Sequence, residues 1–263
     1  MFMFKQRAIH AIILPMSQFQ IFSDQEIESL RKGGKILRAC LNLVESMVAV
    51  GMTTKELDDA AEKFILSEGG KPGFKGYRHF PNTLCTSINE ECVHGIPSGR
   101  ALKEGDIISV DCGVIFDGLY TDACFTASVG KISEEAAKLL KVTLQCLKNV
   151  VALVKKGVKV GDISATVQQT AEAAGFHPVR SLTGHGLGKT LHQFPDIHNV
   201  GEAGTGAILP ANTLIAVEPI ISTGSDMVVT GEDGWTLSTK DSALCAHFEH
   251  TLLVREEGCE VIA

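Results

Sequence analysis

Residues 107–126 read IISVDCGVIFDGLYTDACFT, two apolar, β-branched arms around Asp117-Gly118. An Asp-Gly pair between such arms is a strong two-residue hairpin signal. With Asp117 and Gly118 in the turn, Phe116 faces Leu119, and counting outward sets Asp111 opposite Cys124, one diagonal step from Asp122. Both aspartates then share a face, with diagonal Cβ atoms within roughly 7–8 Å. Carboxylates that close among apolar neighbours repel each other and are costly to desolvate. A bound cation would answer both costs.

On the N-terminal side of the hairpin, Ser23-Asp-Gln-Glu26 is a capping box. Behind it Ile27, Leu30, Leu37, Leu41, Val44 and Val48 recur at helical spacing, and the helix should end near Gly51. Thr53-Thr-Lys-Glu56 opens a second helix carrying Leu57, Ala61, Phe64 and Ile65, stopped by Gly69-Gly70. Short strands follow at about 83–88 and around Val93. After the hairpin the order repeats. Ser133 caps a helix with Leu140, Leu144, Leu147, Val151 and Val154 that ends near Gly157, and Asp162 is expected to cap another that ends at Gly175. Gly51 aligns with Gly157, Leu57 with Ile163 and Gly69 with Gly175, each 106 residues on; at 107, LKEGDIISVD ending at Asp111 aligns with LPANTLIAVE ending at Glu218. A repeat this long suits a fused duplication, two α-α-β-β halves of an α+β fold. The site should lie between the halves.

The chain has 263 residues, 44% hydrophobic and 21% charged, enough to bury a sizeable core. A net charge of −7 with no cluster of Lys or Arg argues against direct nucleic-acid binding. Eight cysteines lack any C-x-x-C spacing and read as reduced thiols of a cytoplasmic protein. The apolar run from Ala8 to Leu14 is interrupted by His10, has no small-x-small cleavage site after it, and is too short to span a membrane. Residues 1–22 are therefore expected to be a poorly ordered extension or a start-site artefact, with Met16 an equally good start. Residues 23–263 are expected to form one catalytic domain, with pseudo-halves at about 23–130 and 131–263.

Glu218, in LIAVEPII, and Glu249, in ALCAHFEHTLLV, also stand inside apolar runs without a basic partner. Four carboxylates and a neutral histidine balance two divalent cations, whose ~3.5–4 Å separation lets single carboxylates bridge. The histidine is expected to be His185, in GHGLG, with His192 seven residues on and His94, in VHGIP, as further candidates for the same cleft. His10, His177 and His198 read as surface or structural. A mixed oxygen and imidazole set suits Mn, Fe, Co or Zn.

VHGIP, the Asp111 and Asp122 pair, GHGLG with His192, Val217-Glu218-Pro219, Asp233-Gly-Trp235 and Phe248-Glu249-His250-Thr251 occur in order. In these motifs the chain resembles the bacterial type I methionine aminopeptidases from about Ser23 onward. That resemblance implies the pita-bread fold, pseudo-twofold halves around a curved antiparallel sheet. It implies Asp111, Asp122, His185, Glu218 and Glu249 as ligands of two ions, Asp111 bidentate on one, Asp122 and Glu249 bridging. The implied reaction removes initiator methionine before a small second residue, through attack of a metal-bound hydroxide on the first peptide bond. Glu218 would relay the proton, and His94 and His192 would hydrogen-bond the scissile amide. The interval from Glu218 to Glu249 has no room for the helical insert of type II enzymes, and the N-terminal domain typical of prolidases is lacking. The implied partners are peptide or nascent-chain N-termini, with transient ribosome association, and the implied state is a monomer off the membrane.

The resemblance also places a methionine pocket at Phe74, Tyr77, Phe80, Cys85, Leu191 and Trp235, where aromatic neighbours favour a thioether. Phe74, Arg78, Leu191 and Gln193 depart from the family's frequent cysteine, histidine, phenylalanine and glutamate. Three other readings compete: a same-fold enzyme cleaving before proline, a metal-free binding protein, and a two-metal phosphate hydrolase. Intact ligands speak against the second, and the lack of a Lys/Arg cluster against the third.

Overall fold

The computed structural model describes residues 18–263. Residues 1–17 of the expected extension lie outside the described residues. Residues 18–22 are held against the body: Phe19 stands edge-on to Phe194 at 4.9 Å, Phe22 is buried, and its N–H donates to the Asn212 carbonyl. Docked chain therefore begins before the capping box.

Helices α1 (Asp24–Met47) and α2 (Thr54–Ser67) start at the two expected boxes, Ser23 with Glu26 and Thr53 with Glu56. Their apolar stripes, including Leu37, Leu41, Leu57 and Ile65, bury against Ile108, Val110, Cys112 and Val114. Helices α3 (Glu134–Leu153) and α4 (Val160–Ala173) do the same for a second core with Ile215, Val217, Leu252 and Val254. Ser133 caps α3 as expected, whereas Asp162 does not cap α4. That helix begins at Val160, and Asp162 lies at its third position, where its carboxylate accepts from the Lys159 N–H. The position equivalent to Thr53 holds Lys159, which has no hydroxyl or carboxylate to accept from the first turn, so only half of the box survives.

The duplication is visible in local geometry. The two second helices, Thr54–Ser67 and Val160–Ala173, lie 106 residues apart and are equally long. Thr53 bridges Ala101 as Lys159 bridges Ile208, and Gly51 N–H donates to Leu102 as Gly157 N–H donates to Leu209. The shift from 106 to 107 thus falls between the second helices and the strands that follow.

The hairpin of Ile107–Phe116 and Leu119–Ser128 has the counted register, with Phe116 opposite Leu119, Asp111 opposite Cys124 and Asp122 opposite Gly113. Leu84–Ile88 pairs with the outer edge of the first arm. The second half centres on Leu214–Val217, between His250–Val254 and Thr183–Gly186. One isolated antiparallel bridge, Cys124 to Glu249, joins the hairpin to the second sheet. Phe248, beside it, packs on both cores.

Candidate metal centre

The bridge between the sheets gathers the acids. Asp111 and Asp122 come from the hairpin, Glu218 from the end of Leu214–Val217, and Glu249 from the bridge itself. Asp122 is anchored through its backbone: its N–H donates to the Thr251 hydroxyl, which donates back to the Asp122 carbonyl. His185 sits in Thr183–Gly186, between glycines that the backbone requires. A Cβ at Gly184 would lie 2.4 Å from the Ala216 carbonyl oxygen, and one at Gly186 would lie 2.1 Å from that of Phe194.

His185 fixes the chemistry of the cleft. Its Nδ1 is 3.0 Å from the Gly186 carbonyl, which only accepts, so Nδ1 carries the proton. In the neutral ring Nε2 then turns a lone pair toward Glu218 Oε1, 3.4 Å away. Asp122, His185 and Glu249 offer donor atoms all within 4.8 Å of one another. Asp111 Oδ1, Asp122 Oδ1 and Glu249 Oε1 are buried without a hydrogen-bond partner. Lone pairs facing carboxylates, with orphaned oxygens beside them, fit a bound cation and little else.

Burial holds Asp111 up at about 7. Asp122, Glu218 and Glu249 are held well above the usual carboxylate range, first by burial and then by repulsion from the other acids of the cleft. Burial also lowers His185 to about 4 and lowers His94. His192 is pushed down by desolvation and then by neighbouring His185 and Arg78. Acids raised in the folded state give stability that is present at low pH and lost as pH rises through their folded pKa. Histidines lowered below their ordinary 6.5 act in the opposite sense but are neutral in both states above that value. Between pH 7 and 8.5 the metal-free protein should therefore lose thermal stability, whereas metal-loaded protein should not. Calorimetry in chelator and in excess Co(II) checks this; a flat or rising metal-free profile would contradict it.

The centre opens into a cavity of about 330 Å³. Its apolar end is one cluster of Phe74, Phe80, Cys85 and Leu191, with Tyr77 and Trp235 packed against it, so the six residues expected in the pocket are together. Phe80 meets Trp235 edge-on at 5.2 Å. His94 is half-buried, its ring 6.4 Å from that of Trp235, and His192 holds the Tyr77 hydroxyl at 3.0 Å from Nδ1, its ring 4.3 Å from that of His185 and tilted 55° to it. His177 and His198 are exposed, as expected; His10 lies outside the described residues. His247, not among the expected residues, also lines the cavity. Period-2 alternation on HFE would have found it, because His247 and Glu249 are two apart on an extended segment.

Residues 28–256 match the model of metallopeptidase family M24. The chain belongs to this family. A methionine aminopeptidase of Clostridium acetobutylicum is 45% identical over 92% of this chain and 97% of its own length. Methionine aminopeptidase 1 of Bacillus subtilis is 40% identical over 90% and 96%. Among solved M24-type structures, the methionine aminopeptidase of Thermotoga maritima superposes with a TM-score of 0.92, at 40% identity and covering 93% of this chain and 99% of that one. The X-Pro aminopeptidase of the same organism, at 21% identity and a TM-score of 0.71, shares the pita-bread fold.

Proposed function

We propose that this chain removes the N-terminal methionine from peptides and nascent proteins whose second residue is small. Two divalent ions, drawn from Co, Mn, Fe or Zn, are held by Asp111, Asp122, His185, Glu218 and Glu249. The observation that carries this reading is the convergence of four carboxylates and an imidazole lone pair beside an aromatic pocket of side-chain size. When bound, such ions lower the pKa of a water and polarise the carbonyl it attacks. Glu218 lies on the cavity wall, where its carboxylate would be placed to take a proton from that water and pass it to the leaving amine. His94 and His192, neutral at pH 7, donate to the scissile amide and to the oxygen that gains charge. The Tyr77 hydroxyl at His192 Nδ1 fixes that ring's orientation.

The apolar cluster from Phe74 to Trp235 takes the methionine side chain, and dispersion contacts with its sulfur favour it over shorter side chains. Residues 23–263 act as one catalytic domain. The free, mostly buried thiols support a reducing, cytoplasmic setting, where a monomer meets nascent chains at the ribosome.

Metal-reconstituted protein should release methionine from Met-Ala-Ser and leave Ala-Pro-Ala intact, and Asp111→Ala should release none. No methionine release with any of the four metals would overturn the proposal. Cleavage of Ala-Pro-Ala alone would point to the proline-directed alternative.

A further inference from the structure

His247 is the one histidine lining the cavity to which the proposed function gives no role. It is 1% exposed, and its Nε2 is buried with no hydrogen-bond partner. Nε2 lies 3.8 Å from Glu218 Oε2 and 3.7 Å from Glu249 Oε2. Those separations are too long for hydrogen bonds, which fall at about 2.7–3.2 Å. They lie just beyond the spacing of a different arrangement, which a small shift of the ring would meet. Donors bonded to one cation at ~2.1 Å stand ~3.4–3.7 Å apart at tetrahedral to trigonal angles. The separation of His185 Nε2 from Glu218 Oε1, 3.4 Å, falls in the same range.

The position is built rather than accidental. His247 ends the strand Cys245–His247, and its backbone is pinned on both sides by the Thr126 hydroxyl, which accepts from His247 N–H at 3.0 Å and donates to its carbonyl at 2.7 Å. Ser109 donates to the same hydroxyl at 2.8 Å, tying the imidazole's backbone to the hairpin that carries both aspartates. Two donor groups result: Asp122, His185 and Glu249 on one side, and Glu218, His247 and Glu249 on the other, with Glu249 common to both.

We propose that His247 Nε2 is a direct metal ligand, giving the second ion an imidazole of its own. This rests on the two-ion reading above. An added imidazole makes the second position softer, so it favours Zn, Co or Fe over Mn more than carboxylates alone would.

The test is X-ray absorption on wild-type protein loaded with two equivalents of Co(II), together with calorimetric metal titration of wild type and His247→Gln. Outer-shell scattering should count two imidazoles for the two ions in wild type and one in His247→Gln. Affinity for the weaker Co(II) should fall at least about tenfold in the variant, the low end of what losing a supporting residue costs, and Mn affinity should fall less. If His247→Gln misfolds, the wild-type imidazole count still decides. Two bound ions with one imidazole in wild type would overturn this proposal and leave the two-ion reading standing. Wild type that binds no Co(II) would overturn both.

Discussion

Replacing Asp122 with asparagine should lower kcat/KM on Met-Ala-Ser at least a thousand-fold, well beyond the ~10–100-fold that loss of a supporting residue around a metal costs. The side chain is buried, its Oδ1 has no partner within the protein, and it lies between Asp111 and Glu249, which both raise its pKa by repulsion after burial has done so. A carboxylate so placed is suited to serve both ions, so calorimetric titration of Asp122→Asn should show neither site at wild-type affinity. Asp111→Asn, by contrast, should chiefly weaken one. The same change should raise the melting temperature of the metal-free protein at pH 8, because asparagine keeps the shape and removes a buried charge. A lower melting temperature would point to structural damage, and two tight sites in Asp122→Asn would remove its bridging role.

The second large effect is expected at His94. It is half-buried, sits in a left-handed backbone conformation at φ 62°, and lies on the cavity wall outside the two donor groups that would hold the ions. Removing a donor aimed at developing charge costs about 10²–10³ in kcat. His94→Ala should show a loss of that size with KM little changed, while titration finds both ions bound as in wild type. That split separates it from Asp122→Asn, where binding and turnover fall together. Unchanged kcat would exclude a role for His94 at the scissile bond.

Much of this centre could be read from residues alone because its scaffold is local. A two-residue turn at Asp117-Gly118 sets register by counting, and the structure has Asp111 opposite Cys124 as counted. Glu218 and Glu249 stand out because charges in apolar runs without basic neighbours are rare. His247 was legible only through its two-residue spacing from Glu249, a single step of alternation at the end of a three-residue strand. The start of α4 was misplaced for a related reason: a residue at the third helical position can be half of a box whose other half is missing. The pocket is a different case. Phe74, Leu191 and Trp235 come from three loops far apart in sequence, and no local pattern joins them; only resemblance to a known family did.

The lone bridge between Cys124 and Glu249 also has a consequence for how the molecule holds itself together. Each half has its own helices and its own core, and the backbone pairing between the hairpin and the second sheet is one bridge, braced by Thr126 and Thr251 and flanked by packing of Phe248 on both cores and of Ile27 and Leu30 with Leu214 and Leu253. Like charges gather at that seam. Without a cation the buried acids repel one another there, and a cation held between them would tie the two sheets together. Ions held there as proposed would therefore also link the two halves, and loading them would add to the stability of a fold that already stands without them.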